Sequence, residues 1–253
     1  MRVHVITLFP DVIESYINTS MLARGRKSGA IEIVVRQLRD FAFDRHQVVD
    51  DNPYGGGVGL VLKPDIIDRA IRNALGEIKS DSPENVPIVL TTPHGRKLDN
   101  SIARHYSTVP EWIVICGHYG GVDRRIADSW VTDEISIGDY VLTGGELPAL
   151  AMIDAAARFI PGVLGKIESA EQDTFEDDLL GPPVYTRPED FKGMVVPGVL
   201  LSGNHAEVAR WKRRKQLELT YRRRPDLIEK AGLTEEDIVF LESIGYKRNN
   251  NVR

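Results

Sequence analysis

Apolar and polar positions change their period several times along this chain, and the changes mark its elements. Residues 3–8 alternate in a β-branched run that predicts a strand, and Pro10 then opens a helical stretch through about Asn18. Residues 31–35 form the next strand-like run. After Pro64, the positions Ile67, Ala70, Ile71 and Leu75 fall on one face at helical spacing, and residues 76–86 are polar enough for a surface loop. Apolar runs and helical stretches then alternate. Strands are predicted at 87–90, 112–116 and 134–137, a short helix at 99–105 and a helical turn at 126–130. Residues 149–160, with the run MIDAAARFI, are apolar enough for a buried or interface helix. Strands alternating with helices predict a mostly parallel α/β sheet, whose ligands sit at the carboxyl ends of the strands.

Three loops stand at such ends. In DEISIGDYVLTGGELP, residues 133–148, a strand running through Gly-Asp-Tyr to Val141 and Leu142 turns at Gly144-Gly145, and Pro148 falls in the first turn of the next helix. An ordinary strand-turn-helix connection has the same pattern. Two further loops of similar make-up, Thr91-Thr92-Pro93-His94-Gly95 and Cys116-Gly117-His118-Tyr119-Gly120-Gly121, each follow an apolar run and favour a binding site. Residues 39–59, RDFAFDRHQVVDDNPYGGGVG, have little periodicity and read as a long functional loop; they lack the Gly-Lys-Ser/Thr ending of a P-loop.

The pattern breaks at residues 166–187. Six carboxylates lie between Glu168 and Asp178, followed by Gly181-Pro182-Pro183, which predicts an interdomain linker between residues 1–165 and 188–253. Beyond it, Ser202 or Asn204 is a candidate N-cap for a helix over 206–221, and Thr234-Glu235-Glu236-Asp237 opens a last helix. The second domain should be small and helical.

At 253 residues the chain can form one large domain, or a domain of ordinary size with a smaller one. Its 42% apolar and 27% charged residues are those of a soluble globular protein, and no apolar run is long enough to span a bilayer. The opening MRVHVITLF reads as a strand rather than a secretion signal, so the expected location is cytoplasmic. A single cysteine, Cys116, excludes an internal disulfide and a cysteine-based zinc site; in WIVICG it reads as a buried strand residue. The net charge of −5 conceals an asymmetry: residues 187–253 carry 14 Lys and Arg against 10 Asp and Glu, and the remainder 18 against 27. Between positions 208 and 224, eight basic residues face only Glu218, with Trp211 and Tyr221 interleaved. Such a run suits either a solvated helix face or a nucleic-acid backbone.

The most specific blocks are LFP at 8–10, VDDNPYGGGVG at 49–59, GRKLD at 95–99, SIGDYVLTGGELPA at 136–149, RFIPGVLG at 158–165, YTRP at 185–188 and LLSGNHAE at 200–207. In this order, and over nearly the whole chain, they resemble the bacterial tRNA (guanine-N1)-methyltransferases of the SPOUT superfamily, which methylate the guanine just 3′ of the anticodon. The resemblance implies an α/β fold of SPOUT type, a parallel sheet with a deep trefoil knot plus a small helical C-terminal domain. It implies S-adenosylmethionine as methyl donor, bent among the knot loops. The cofactor-binding positions would be Thr91, Thr92, Pro93 and Gly95, then Gly117, Tyr119 and Gly121, then Ile137, Gly138, Asp139, Tyr140, Val141, Leu142, Gly144, Gly145 and Pro148. It further implies a homodimer in which the knot domain of one subunit and the C-terminal domain of the other form each tRNA cleft, with no membrane partner. Magnesium is expected from the family, without identifiable ligands.

Guanine N1 is a poor nucleophile while it holds its proton, so a nearby base and a positive group near O6 would both lower the barrier. By resemblance, the base is Asp173 in AEQDTF and the cation is Arg158 in RFIPG. Candidates for reading bases around the target are His46 and Asp50. Ser202, Asn204 and His205 are expected near the anticodon loop, and the basic cluster, including Arg213 and Arg214, on stem phosphates. One position departs from the family pattern: Gly120 follows Tyr119 where the family usually has glutamate. That departure keeps open an RNA-binding SPOUT protein with reduced or no catalysis, alongside a SPOUT methyltransferase acting on another RNA.

Overall fold

A computed structural model describes residues 1–79, 85–164, 173–175 and 177–247. The chain divides into two compact units, Met1–Ile167 and Glu168–Arg253. In the first, five strands form one parallel sheet: β1 (Arg2–Thr7), β2 (Glu32–Gln37), β5 (Ile88–Lys97), β6 (Glu111–Cys116) and β7 (Asp133–Ser136), in the order β2-β1-β6-β5-β7. A separate two-stranded ribbon, β3 (Asp50–Asp51) with β4 (Val61–Leu62), closes the second half of the expected long loop into a hairpin.

Helices cover both faces of the sheet, so its central strands are apolar on both sides. Along β6, Trp112, Val114 and Cys116 enter one core while Ile113 and Ile115 enter the other. The first core is completed by α1 (Pro10–Ile17), α2 (Ser20–Lys27), α4 (Asn100–Thr108) and α6 (Glu146–Ala157). The second is completed by α3 (Pro64–Gly76), which buries Ile66, Ile67, Ala70, Ile71 and Ala74, and by α5 (Arg124–Ser129) through Ile126. The apolar helix foreseen at 149–160 is α6, and its Ala149, Leu150, Met152, Ile153, Ala156 and Ala157 are buried within this unit. Leu147 and Ala151 remain exposed.

Two expectations need correction. The loop expected at 91–95 is instead part of β5, which runs to Lys97: Thr91 and Arg96 both pair with Ile135, and residues 92–95 bulge out between them. The strand returns because Gly95 lies against the backbone of β7, where an added Cβ would stand 2.4 Å from Glu134 C and O. Conversely, the strand expected to continue through Leu142 ends at Ser136. Ser136 Oγ accepts from Gly138 N–H (3.2 Å) and donates to Gly138 O (3.0 Å), which turns the chain out of the sheet.

The second unit holds a hairpin that periodicity did not indicate, β8 (Asp190–Phe191) with β9 (Met194–Val195), turning at Lys192 and Gly193 with φ of 57° and 82°. Asn204 caps the long helix α7 (His205–Arg223) by accepting from Glu207 N–H at 3.3 Å. A short helix α8 (Pro225–Ile228) and α9 (Glu235–Ser243) pack on it around Leu179, Leu217, Ile228 and Leu241. Thr234 and Asp237 form a reciprocal capping box at α9. Residues 166–172 and 176 of the expected linker lie outside the described residues.

Candidate functional site

A pocket of about 500 Å³ opens at the carboxyl ends of β5, β6 and β7. Its walls are the bulge at 91–94, the segment 117–122 after β6 and the segment 137–145 between β7 and α6. These segments meet main chain to main chain. Gly145 N–H donates to Gly117 O at 2.7 Å, His118 bridges Gly144, and Thr91 Oγ1 lies 3.2 Å from both Ile115 O and Gly145 O. Two glycines permit the approach by having no Cβ. One added at Gly145 would stand 2.2 Å from Thr91 Oγ1 and 2.7 Å from Gly117 N; one at Gly144, 2.2 Å from Glu146 Oε2 and 2.7 Å from His118 Cδ2. Behind the wall, buried Glu146 accepts from Thr7 Oγ1 at 2.7 Å and tethers the start of α6 to the end of β1.

Of the positions expected to bind a cofactor, all but Gly95 and Asp139 line this pocket. Gly95 serves the return of β5, and exposed Asp139 pairs with Lys97 at 3.0 Å. The wall also includes His94, His118, Arg124, Glu134 and Thr143, which sequence reasoning did not single out. His94 and His118 fell inside recognised loops. Arg124 and Glu134 pair at 3.0 Å from α5 to β7, a contact no local pattern signals. The His118 ring stands between Phe9 and Tyr119, at centroid distances of 4.9 and 4.6 Å, and its Nδ1 is buried without a hydrogen-bond partner among the described residues. A proton on Nδ1 would be an orphaned buried donor, so the geometry favours the tautomer with the proton on Nε2. Cys116 ends β6 beneath the pocket; burial, with the nearby Glu146 carboxylate, holds its thiol well above the ordinary range, which suits packing and not nucleophilic attack.

The chemistry of this wall fits a nucleoside-bearing ligand: exposed main chain offers donors and acceptors to a heterocycle edge, and Leu90, Val122, Ile135 and Leu142 supply apolar surface. Among the described residues no group of three or more His, Cys, Asp or Glu side chains could hold a metal ion.

A family model described as tRNA (Guanine-1)-methyltransferase TrmD matches residues 1–230. The chain belongs to this methyltransferase family. It is 52% identical over 241 residues to a tRNA (guanine-N(1)-)-methyltransferase of Geobacter metallireducens, covering 95% of this chain and 96% of the relative. Proteins of the same name from Dehalococcoides mccartyi strain CBDB1 and Staphylococcus haemolyticus are 44% and 45% identical, over 98% and 99% of this chain and 99% and 100% of theirs.

Of the other positions expected of a family member, those in the first unit, Arg158, His46 and Asp50, do not line the pocket. Arg158 follows α6 and lines a second, smaller pocket of about 170 Å³ with Tyr16, Ser20 and Asp154. With a rise of 1.5 Å per residue, α6 separates Arg158 from Gly145 by about 20 Å along its axis, farther than an arginine side chain reaches. Asp173 belongs to the second unit, is exposed and accepts from Thr174 N–H at 2.8 Å. His46 is exposed in a turn held by Asp44, and Asp50 is half-buried in β3. Ser202 and Asn204 spend side-chain hydrogen bonds on the entry to α7, while His205 is exposed.

The basic run on α7 is largely paired. Lys215 and Arg222 share Glu218, and Arg224 holds Asp226. Arg213, expected on phosphate, reaches Asp237 with Nε at 3.2 Å and Nη2 at 2.9 Å, and Asp177 at 3.6 Å. Donating these hydrogen bonds to the Asp237 carboxylate raises the Arg213 pKa, and the pair fastens α7 to α9. Arg214 lies over the Phe240 ring at 5.6 Å, exposed to solvent. Lys212 and Arg223 make no ion pair among the described residues.

Proposed function

We propose that this protein transfers a methyl group from S-adenosylmethionine to N1 of the guanine 3′-adjacent to a tRNA anticodon. The observation that carries the proposal is the glycine-walled pocket in a chain that matches the family over residues 1–230. When bound, the donor supplies an electrophilic methyl carbon on its sulfonium. The main chain of 137–145 and 117–121 would hold the adenosyl part, and the 500 Å³ pocket accepts a bent ligand. The deep trefoil knot belongs to this reading; it is supported by the tight seating of the segment before α6 against the segment after β6, as in the Gly145–Gly117 hydrogen bond.

Within it, Asp173 takes the N1 proton of guanine, and the Arg158 guanidinium stabilises negative charge developing at O6. The separation of Arg158 from its own pocket by α6 supports a homodimer in which each subunit's Arg158 serves the donor pocket of the other. Residues 188–253 would hold the anticodon stem-loop, with 166–187 as the linker that carries the base over the target. His46 and Asp50 would contact bases, and Ser202, Asn204, His205 and Arg214 the loop and its phosphates. Arg213 would act indirectly, by fixing the helix that presents its neighbours.

Incubation with labelled donor and unmodified tRNA bearing guanine 3′ of the anticodon, followed by nucleoside digestion, tests this reading. N1-methylguanine at that position is expected; a label at another position would move the target, and no label at saturating donor and magnesium would refute catalysis. Asp173→Asn should abolish transfer while leaving donor binding intact. Mixing a subunit that lacks Arg158 with one whose donor pocket is closed should restore activity that neither variant has alone. Gly120 has no Cβ facing the ligand: one placed there would meet Leu60 O at 2.9 Å. Tight tRNA binding without donor binding in calorimetry would favour the non-catalytic reading.

A further inference from the structure

The segment 52–59, NPYGGGVG, joins β3 to β4 as a finger whose side chains pack on almost nothing. Gly55, Gly56, Gly57 and Gly59 all take positive φ, from 78° to 129°. Around Gly55, Gly56 and Gly59 no atom comes within 4 Å of an added Cβ. Tyr54 and Val58 are 101% and 106% exposed, more than any other large apolar side chain among the described residues. Neither contributes to a core, so neither is explained by folding.

The root of the finger is firmly placed. Lys63 N–H donates to Val49 O at 2.8 Å beneath the ribbon. Gly120 N–H donates to Leu60 O at 2.7 Å, Leu62 N–H to Gly121 O at 3.0 Å and Asp123 N–H to Leu62 O at 3.2 Å, with a parallel bridge between Leu62 and Val122. The finger therefore grows out of the pocket wall at 117–122, and whatever it grips is held in register with the pocket.

We propose that the finger is a stacking platform for RNA, in which the Tyr54 ring receives an unstacked base beside the methyl-accepting guanine and Val58 covers its edge. The inference rests on the RNA methyltransferase reading above and adds a substrate contact to it. Guanine N1 lies on the Watson–Crick edge, and seating the target with that edge against a concave pocket draws it out of the loop stack, so the neighbouring base loses a stacking partner. A tyrosine ring offers a flat face at small entropic expense, and it accepts any base because every base has a π-face. The glycines let the finger adjust to the backbone that follows.

The test uses the full-length protein with an anticodon stem-loop carrying 2-aminopurine at the position 3′ of the target guanine. Binding to wild type should change the 2-aminopurine fluorescence. Tyr54→Ala should remove that change and weaken RNA binding by about 5- to 150-fold, the range for losing one stacked base. Tyr54→Phe should keep both, and donor affinity and melting temperature should stay at the wild-type level in both variants. If wild type methylates the RNA and Tyr54→Ala binds it equally well with unchanged fluorescence, the platform is wrong and the methyltransferase reading stands. If wild type neither binds nor methylates the RNA, both fall.

Discussion

Gly145→Ala isolates the packing of the pocket wall from every backbone effect. Gly145 has φ −84° and ψ −1°, a conformation that alanine adopts freely. In open space the exchange would stabilise the fold by about 0.4–1 kcal/mol through the unfolded chain. Here the new methyl would sit 2.2 Å from Thr91 Oγ1, 2.7 Å from Gly117 N and 2.8 Å from Cys116 Cα. The last two atoms are main chain at the end of β6, a strand buried along its whole length, so relief must come from moving the wall. Overpacking of this kind costs about 1–3 kcal/mol. Separating Gly145 N–H from Gly117 O, now 2.7 Å apart, adds roughly 0.5–1.5 kcal/mol. Offset by the gain through the unfolded chain, the expected loss is about 2 kcal/mol, which lowers the melting temperature of a chain this size by roughly 4–8 °C.

Because the displaced atoms are the wall itself, the donor must either accept the shifted wall or force it back, and donor affinity measured by calorimetric titration should fall by about tenfold or more, roughly 1.4 kcal/mol. Gly95→Ala is the matched control. Its Cβ would also strike main chain, 2.4 Å from Glu134 C, but Gly95 does not line the pocket. It should melt lower than wild type and lose far less donor affinity than Gly145→Ala. A Gly145→Ala protein within 2 °C and threefold of wild type, limits of roughly half a kcal/mol, would refute the steric account.

Cys116, buried with its thiol pushed well up, should resist aromatic disulfide reagents at neutral pH in the native protein and react promptly after denaturation. His4 is fully buried, receives Arg36 Nη1–H on Nδ1 at 2.7 Å and donates from Nε2 to Glu111 at 2.9 Å. Burial foremost, with Arg36 and Arg2, lowers its pKa despite Glu111, so the unfolded chain takes up the proton first as pH falls. Its stabilising contribution is complete above about pH 6.5, the ordinary histidine value, and is lost below it; melting temperature should drop between pH 7 and 5.5, and His4→Asn should flatten that slope. Asp237→Ala removes both the cap on Thr234 N–H and the partner of half-buried Arg213, and should destabilise the second unit by on the order of 2–4 kcal/mol in denaturant melts, while the first unit's transition is unmoved.

The elements legible in the sequence were those whose cause is local. β1, α1 and α3 follow from a change of period and a proline at the first turn, and the start of α9 from the Thr234–Asp237 capping box. What escaped depends on partners far along the chain. The return of β5 needs Gly95 to lie against Glu134, and the engagement of Arg213 needs Asp237, 24 residues on. The same contrast governs the pocket. Its glycine loops were visible as composition, yet the order β2-β1-β6-β5-β7 that brings them together is carried by register, which alternation of apolar residues leaves free. At Gly95 the sequence signals a close approach without saying to what, and the structure shows the backbone of Glu134 on its open side.

The wall at 117–122 joins the two halves of the chemistry. On one side Gly117 accepts from Gly145 and closes the pocket; on the other Gly120 and Gly121 bond Leu60 and Leu62 and root the finger that carries Tyr54. A shift of this segment would displace donor and RNA contacts together, whereas a change at the fingertip would affect only RNA. That explains why Gly120 matters beyond any missing carboxylate. A Cβ there would press on Leu60 O at 2.9 Å, so a larger residue must move the finger root by several tenths of an ångström to be seated. At this position the absence of a Cβ lets Gly120 N–H close on Leu60 O at 2.7 Å and hold the finger root against the wall.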